Sequence, residues 1–157
     1  DGKVIVRTPY GISKYQVQMF IEEKKQWIEK HLKEISERQM SNKILSEEER
    51  LKGVQKALCV IPERVEYFAE MMNVTYGRIT IREQKTRWGS CSSKGNLNFN
   101  WKLVLIPEEE LDYVVVHELA HRKEMNHSER FWNHVEKVLP DYQARRKLLR
   151  ELEHRHL

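Results

Sequence analysis

Apolar residues in the first quarter of the chain recur at helical spacing, with Val17, Phe20, Ile21, Trp27, Ile28, Leu32 and Ile35 falling along one stripe. Ser13 and Gln16 stand three apart just ahead of it, the spacing of a capping box, so the pattern predicts one long amphipathic helix over 13–39. Its stripe reads as core, and His31 as an ordinary surface or boundary residue. Before it, the β-branched VIVR (4–7) and the turn-forming TPYG (8–11) predict a short strand. The polar stretch SNKILSEEERLKG (41–53) reads as a linker, and a second capping box at Ser46 and Glu49 opens another helix. Pro62 suits the first turn of a further helix to about 72, with Val65, Phe68, Ala69 and Met72 on one face.

The period then changes. YGRITIREQ (76–84) predicts a strand, and SSKGNLNFNWKLVLIP (92–107) a glycine turn and a second strand. In that strand Leu97, Phe99 and Trp101 alternate with Asn96, Asn98 and Asn100, giving one apolar face and one amide face. Pro107 followed by Glu108, Glu109 and Glu110 marks a helix start, and the helix is expected to run to about Met125, where Asn126 ends it in a left-handed conformation. Ser128 caps a following helix that Pro140 terminates, and YQARRKLLRELEHRHL makes a last, basic helix, its His154 and His156 read as frayed surface residues. Strands grouped together rather than alternating with helices indicate an α+β fold with a small antiparallel sheet. The organisation expected is an N-terminal strand and long helix over 1–45, extending the same unit, and a catalytic domain over 46–157.

The 157 residues hold 28 basic and 24 acidic side chains, well interleaved, for a net charge of +4. With pI near 9.0 this leans towards phosphate-bearing partners but is weak support for nucleic acid. No apolar run approaches the roughly 18 residues of a membrane span. Nothing reads as a secretory signal, and Cys59 and Cys91 make no paired motif, so the expected compartment is the cytoplasm. Oligomeric state is not legible.

The densest chemistry is HELAHRKEMNH at 117–127. His117 and His121, four apart on a helix, raise their rings from one face with Cβ atoms about 6 Å apart, close enough to share one ion at nitrogen distances of roughly 2.0–2.1 Å. Glu118 lies about 100° round the helix and borders the open side of that ion without competing for it. A zinc held by neutral imidazoles keeps its full charge and lowers the pKa of a bound water to about 7, for which Glu118 is the general base. His127 is the preferred third ligand, with Glu136 its main rival and His134, Glu129 and Glu124 further competitors. The spacing from His121 to His127 equals that of the metzincin signature, but Glu124 stands where that signature has glycine, which argues against that family. In TRWGSC, Arg87 offers a guanidinium for an oxyanion or phosphate, Trp88 an aromatic plate and Gly89 a close backbone approach beside Ser90 and Cys91. Cys91 reads as a small packed residue. Asn98 and Asn100 mark a strand that can take an extended peptide by edge pairing.

KTRWGSCSSKGNLNFNWKLVLIP followed by VVVHELAHRKEMNHSERFW resembles the YgjP-like, or WLM-type, metallopeptidase domain family of predicted metal-dependent hydrolases, and more distantly the SprT-like group. The likeness extends to GISKYQVQMFIEEKKQWIEKHL and LPDYQARRKLL. It implies a gluzincin-like, minimal zincin domain with one zinc ion on His117, His121 and His127, Glu118 as base, and Arg87 to Cys91 beside the cleft.

These readings favour a zinc-dependent metallohydrolase, specifically a metallopeptidase acting on peptides. One alternative is a metal-dependent hydrolase of a phosphoanhydride such as a nucleotide, motivated by the basic pI and Arg87. A further alternative is a nucleic-acid-binding module that uses Arg145 to Arg150 and a structural metal.

Overall fold

In the computed structural model, which describes residues 5–41 and 45–156, the Ser13 hydroxyl accepts from the Gln16 amide at 3.2 Å and the Gln16 side chain accepts from the Ser13 amide at 3.0 Å. This box starts α1 (Lys14–Glu23), and α2 (Lys25–Ser41) follows after a break at Lys24. The helix expected over 13–39 is therefore two helices. They belong to a unit of residues 1–43, and a second unit spans residues 44–157. No residue of α1 is buried, so its apolar stripe is not the core that its spacing suggests. Residues 5–9 form no strand; a strand needs a partner to take its backbone groups. Val4 lies outside the described residues.

The second unit opens with the other capping box. The Ser46 amide donates to Glu49 at 2.9 Å and the Glu49 amide to Ser46 at 3.2 Å. From there α3 runs unbroken over Glu47–Met72 and ends on Asn73, whose φ of 51° is left-handed. Pro62 sits inside this helix rather than starting a new one. An interior proline opposes a helix by about 3 kcal/mol, and here the buried stripe Gly53, Ala57, Ile61, Val65, Phe68 and Met72 spans it on both sides and offsets that cost. Gly53 allows the closest contact, since a Cβ there would lie 2.5 Å from the Trp101 ring.

Three strands follow, β1 (Ile79–Arg82), β2 (Gly89–Cys91) and β3 (Leu97–Asn100), in the order β1-β3-β2. β2 pairs antiparallel with β3, Gly89 opposite Phe99, whereas β1 pairs parallel with it, Ile79 opposite Leu97. The sheet is thus mixed, not purely antiparallel, because the loop after β1 carries the chain past β3 before β2 begins. Two of the apolar positions expected to face inward, Leu97 and Phe99, are fully buried. Trp101 is buried too, but it starts a short 3-10 helix (Trp101–Leu105) instead of extending the strand.

The centre of the unit is α4 (Glu108–Ala120), flanked by α3, the 3-10 helix, β2, α5 (Glu129–Glu136) and α6 (Tyr142–His156). Leu111, Val115, Val116 and Leu119 are all buried, as expected of a helix covered on several sides. A forked pair ties it to α3, Arg64 donating to both Asp112 oxygens at 2.7 and 2.6 Å. Glu110 is 4% exposed and one of its carboxylate oxygens finds no partner among the described residues. Burial raises its folded pKa above the ordinary value, so ionisation opposes folding at pH values above that pKa and the cost fades as pH falls through it. Glu110→Gln is expected to stabilise the protein by about 1 kcal/mol near pH 8 and to leave it unchanged near pH 4, read by thermal unfolding at both values. Among the described residues no helix is long and apolar enough to cross a membrane.

Candidate metal centre

His117 and Glu118 stand in the last turn of α4, and the helix stops at Ala120, one residue before His121 and well short of Met125. The reason lies in the backbone: the Arg122 and Lys123 amides turn back to Leu119 and Ala120 at 2.9 Å each, and the Arg122 guanidinium donates to the Thr75 carbonyl at 2.9 Å. Asn126 does not adopt the left-handed conformation expected of it; its side chain accepts from the Ser128 amide at 3.0 Å. Two tight turns, in place of one left-handed residue, bring His127 back over the helix end.

The result is a cluster of three imidazoles, His117, His121 and His127, whose candidate ligand atoms lie within 4.8 Å of one another. The Nε2 atoms of His117 and His127 are 3.0 Å apart. In a tetrahedral zinc site with nitrogens at 2.0–2.1 Å, ligand atoms are roughly 3.3 Å apart, so the pair is already close to ligand spacing. Nδ1 of His121 lies 3.2 Å from the Glu124 carbonyl, a contact that places the ring proton there and leaves the Nε2 lone pair for an ion. Burial and the two neighbouring imidazoles lower the His117 pKa to about 3, keeping that ring in the neutral, ligating form. The donor set therefore suits zinc. Glu136, Glu129, Glu124 and His134 are not part of the cluster.

Phe131 forms the floor. Its ring centroid lies 4.9, 4.7 and 4.7 Å from those of His117, His121 and His127, and Trp132 stacks on His127 at 5.8 Å. These two α5 residues escape a motif reading, although Phe131 follows His127 at helical spacing, i to i+4. Ser128, the expected cap of α5, holds the cap position without a side-chain cap bond.

Glu118 is 6% exposed and lines a cavity of about 500 Å³ together with the three histidines. Burial lifts its pKa to about 8, opposed by the Arg87 charge and by the Cys91 amide, which donates to it. A cation at the imidazoles would pull the value down further. Gly89 explains the fit, because a Cβ there would lie 2.8 Å from Glu118 Oε1. Gly89→Ala is therefore expected to retain zinc but to reduce turnover by about tenfold or more, through misplacement of Glu118, measured as kcat beside metal content.

Of the other residues singled out in the sequence, exposed Arg87 and half-buried Ser90 line the same cavity, and Trp88 is buried beside it. Cys91 is half-buried and packs against the core. Asn98 donates to Ser90 Oγ at 3.4 Å. Asn100 is fully buried, caps the 3-10 helix through Lys102 and donates to the Gln84 carbonyl at 2.8 Å, so it fastens the loop that carries Arg87. The edge-pairing role expected for Asn98 and Asn100 does not hold, since β3 is the central strand. The sheet edge beside the imidazoles belongs to β2. Trp88 and Ser92 direct backbone groups to β3, so by strand alternation those of Gly89 and Cys91 face away from it, the Cys91 amide being taken by Glu118.

The sequence model of the YgjP-like metallopeptidase domain matches residues 1–53 and 52–152. The chain belongs to that family. No curated protein matches it. Among solved structures, the metallopeptidase zymogen abylysin of Pyrococcus abyssi is similar, with 25% identity and a TM-score of 0.54 over 62% of this chain and 100% of its own. Jannalysin of Methanocaldococcus jannaschii, also a metallopeptidase zymogen, has 25% identity and a TM-score of 0.50 over 59% of this chain and 96% of its own. Like these two, the YgjP-like chain has a metallopeptidase fold of α+β class, and the family implies a metal ion.

Proposed function

We propose that the protein is a zinc-dependent metallopeptidase that cuts extended peptides, with His117, His121 and His127 holding one zinc ion and Glu118 as general base. The observation that carries this reading is the convergence of three imidazoles with a buried carboxylate beside them on one cavity wall. Zinc held there supplies Lewis acidity, polarising the scissile carbonyl and acidifying the water that attacks it.

The chain's own residues do the rest. Glu118 accepts the proton of the attacking water and returns it to the leaving amine, with the Cys91 amide holding its carboxylate in place. Phe131 and Trp132 cover one side of the imidazoles, excluding water and locking the rings. The outward Gly89 amide and the Gly89 and Cys91 carbonyls of β2 can pair with a substrate in extended form, which presents its carbonyl to the centre. Two free thiols, Cys59 and Cys91, suit action in a reducing compartment such as the cytoplasm.

The test is a panel of unstructured peptides and nucleotides offered to zinc-loaded, chelated and reconstituted protein. Peptide cleavage that disappears on chelation and returns with one equivalent of zinc is the expected result. Release of phosphate or pyrophosphate from nucleotides, with all peptides left intact, would contradict it in favour of phosphoanhydride hydrolysis.

A further inference from the structure

A second cavity, of about 310 Å³, adjoins the metal centre and shares Arg87, Gly89, His117 and Glu118 with it. That volume is at the lower end of the range for small-ligand pockets, roughly 300–1,000 Å³. Trp88, Tyr113, Val114 and Leu149 give it an apolar lining, while Arg146, Arg150 and Glu153 of α6 reach it from the other side. Three guanidinium groups, Arg87, Arg146 and Arg150, thus face two carboxyl groups, Glu118 and Glu153, so basic groups outnumber acidic ones in the lining. None of the three arginines pairs with a carboxylate among the described residues.

Arg146 is held rather than loose. Its guanidinium carbon lies 4.5 Å from the Trp132 ring centroid, and Trp132 stacks on Tyr142 at 5.4 Å and 15°. A guanidinium laid on an aromatic face keeps the donors around its rim free for a planar anion. Tyr113, 4% exposed, adds a phenol hydroxyl to the same wall.

We propose that this cavity is a specificity subsite that takes an acidic side chain of the peptide, near the bond to be cut. The inference deepens the peptidase reading and rests on it. A carboxylate on a short methylene stem satisfies both parts of the cavity, its charge at the arginines and its stem against Trp88 and Leu149. A polyphosphate fits less well: its usual divalent cation is bound by carboxylates, and among the described residues the group that converges for a metal is the histidine cluster.

The experiment measures binding, not turnover. Zinc-loaded Glu118→Gln protein is titrated with fluorescent, otherwise neutral peptides in which a single Glu is moved along the chain, each paired with its Gln counterpart. In one register the Glu peptide is expected to bind about tenfold tighter or more, the advantage shrinking as salt rises. Arg150→Gln, at the exposed mouth, and Arg146→Gln should each reduce that advantage without weakening the Gln peptide. Equal binding of Glu and Gln peptides in every register, no peptide binding, or an advantage that survives both substitutions together would overturn the subsite. Nucleoside triphosphates binding through the same arginines more tightly than any acidic peptide would also overturn it. Because turnover is not read, a wild-type protein that cuts no peptide sinks the peptidase reading separately, and cleavage with no acidic preference sinks the subsite alone.

Discussion

Glu118→Gln is expected to bind one zinc per chain as the wild type does and to cleave peptides at least about a hundredfold more slowly, the contribution typical of a positioned general base. The substitution keeps the shape that sits against Gly89 and removes the carboxylate that takes the proton. Metal content should hold because the candidate ligand atoms belong to His117, His121 and His127 and not to Glu118. The fall should appear in kcat more than in KM, since the base acts chiefly in the transition state. Cleavage at the wild-type rate by this variant would remove Glu118 from the chemistry. Loss of zinc together with activity would instead make it a ligand.

The second large effect concerns the third ligand. His127→Ala is expected to weaken zinc binding by about a hundredfold or more and to abolish cleavage at limiting metal, whereas Glu136→Ala should leave both unchanged. A lost ligand should cost at least as much as the loss of a group that only orients one, which is worth about 10–100-fold. His127 has its Nε2 3.0 Å from that of His117, while exposed Glu136 stands at the end of α5, outside the cluster. Competition with a chromophoric chelator gives both affinities. The reverse pattern, zinc retained in His127→Ala and lost in Glu136→Ala, would reassign the site.

Much of the centre was legible because local chemistry governs it. Pro107 and three glutamates begin α4, and helical spacing puts His117, Glu118 and His121 at its end. His127 was legible only as a preference, because its approach depends on turns that Arg122 pulls tight against Thr75, a contact between residues 47 apart. β2 escaped notice for a different reason. Its three residues, Gly-Ser-Cys, carry no alternation, and they form a strand because β3 supplies the partner. Asn98 and Asn100 misled for the same reason, since an amide face predicts exposure only when no second strand and no loop cover it; Asn100 is instead fully buried under the loop it fastens. The uninterrupted course of α3 through Pro62 likewise reflects packing outweighing local preference. Phe131, Trp132 and Arg146 reach the site from helices that follow the motif and carry no metal-ligand signature of their own.

The proposed chemistry requires one divalent ion held by three imidazoles, with Glu118 beside it and a place left for substrate. X-ray absorption at the zinc edge of the reconstituted protein tests this directly. Three nitrogens and one exchangeable oxygen at about 2.0–2.1 Å and no sulfur are expected. Four protein ligands, a sulfur from Cys91, or a spectrum unchanged in His127→Ala would contradict it.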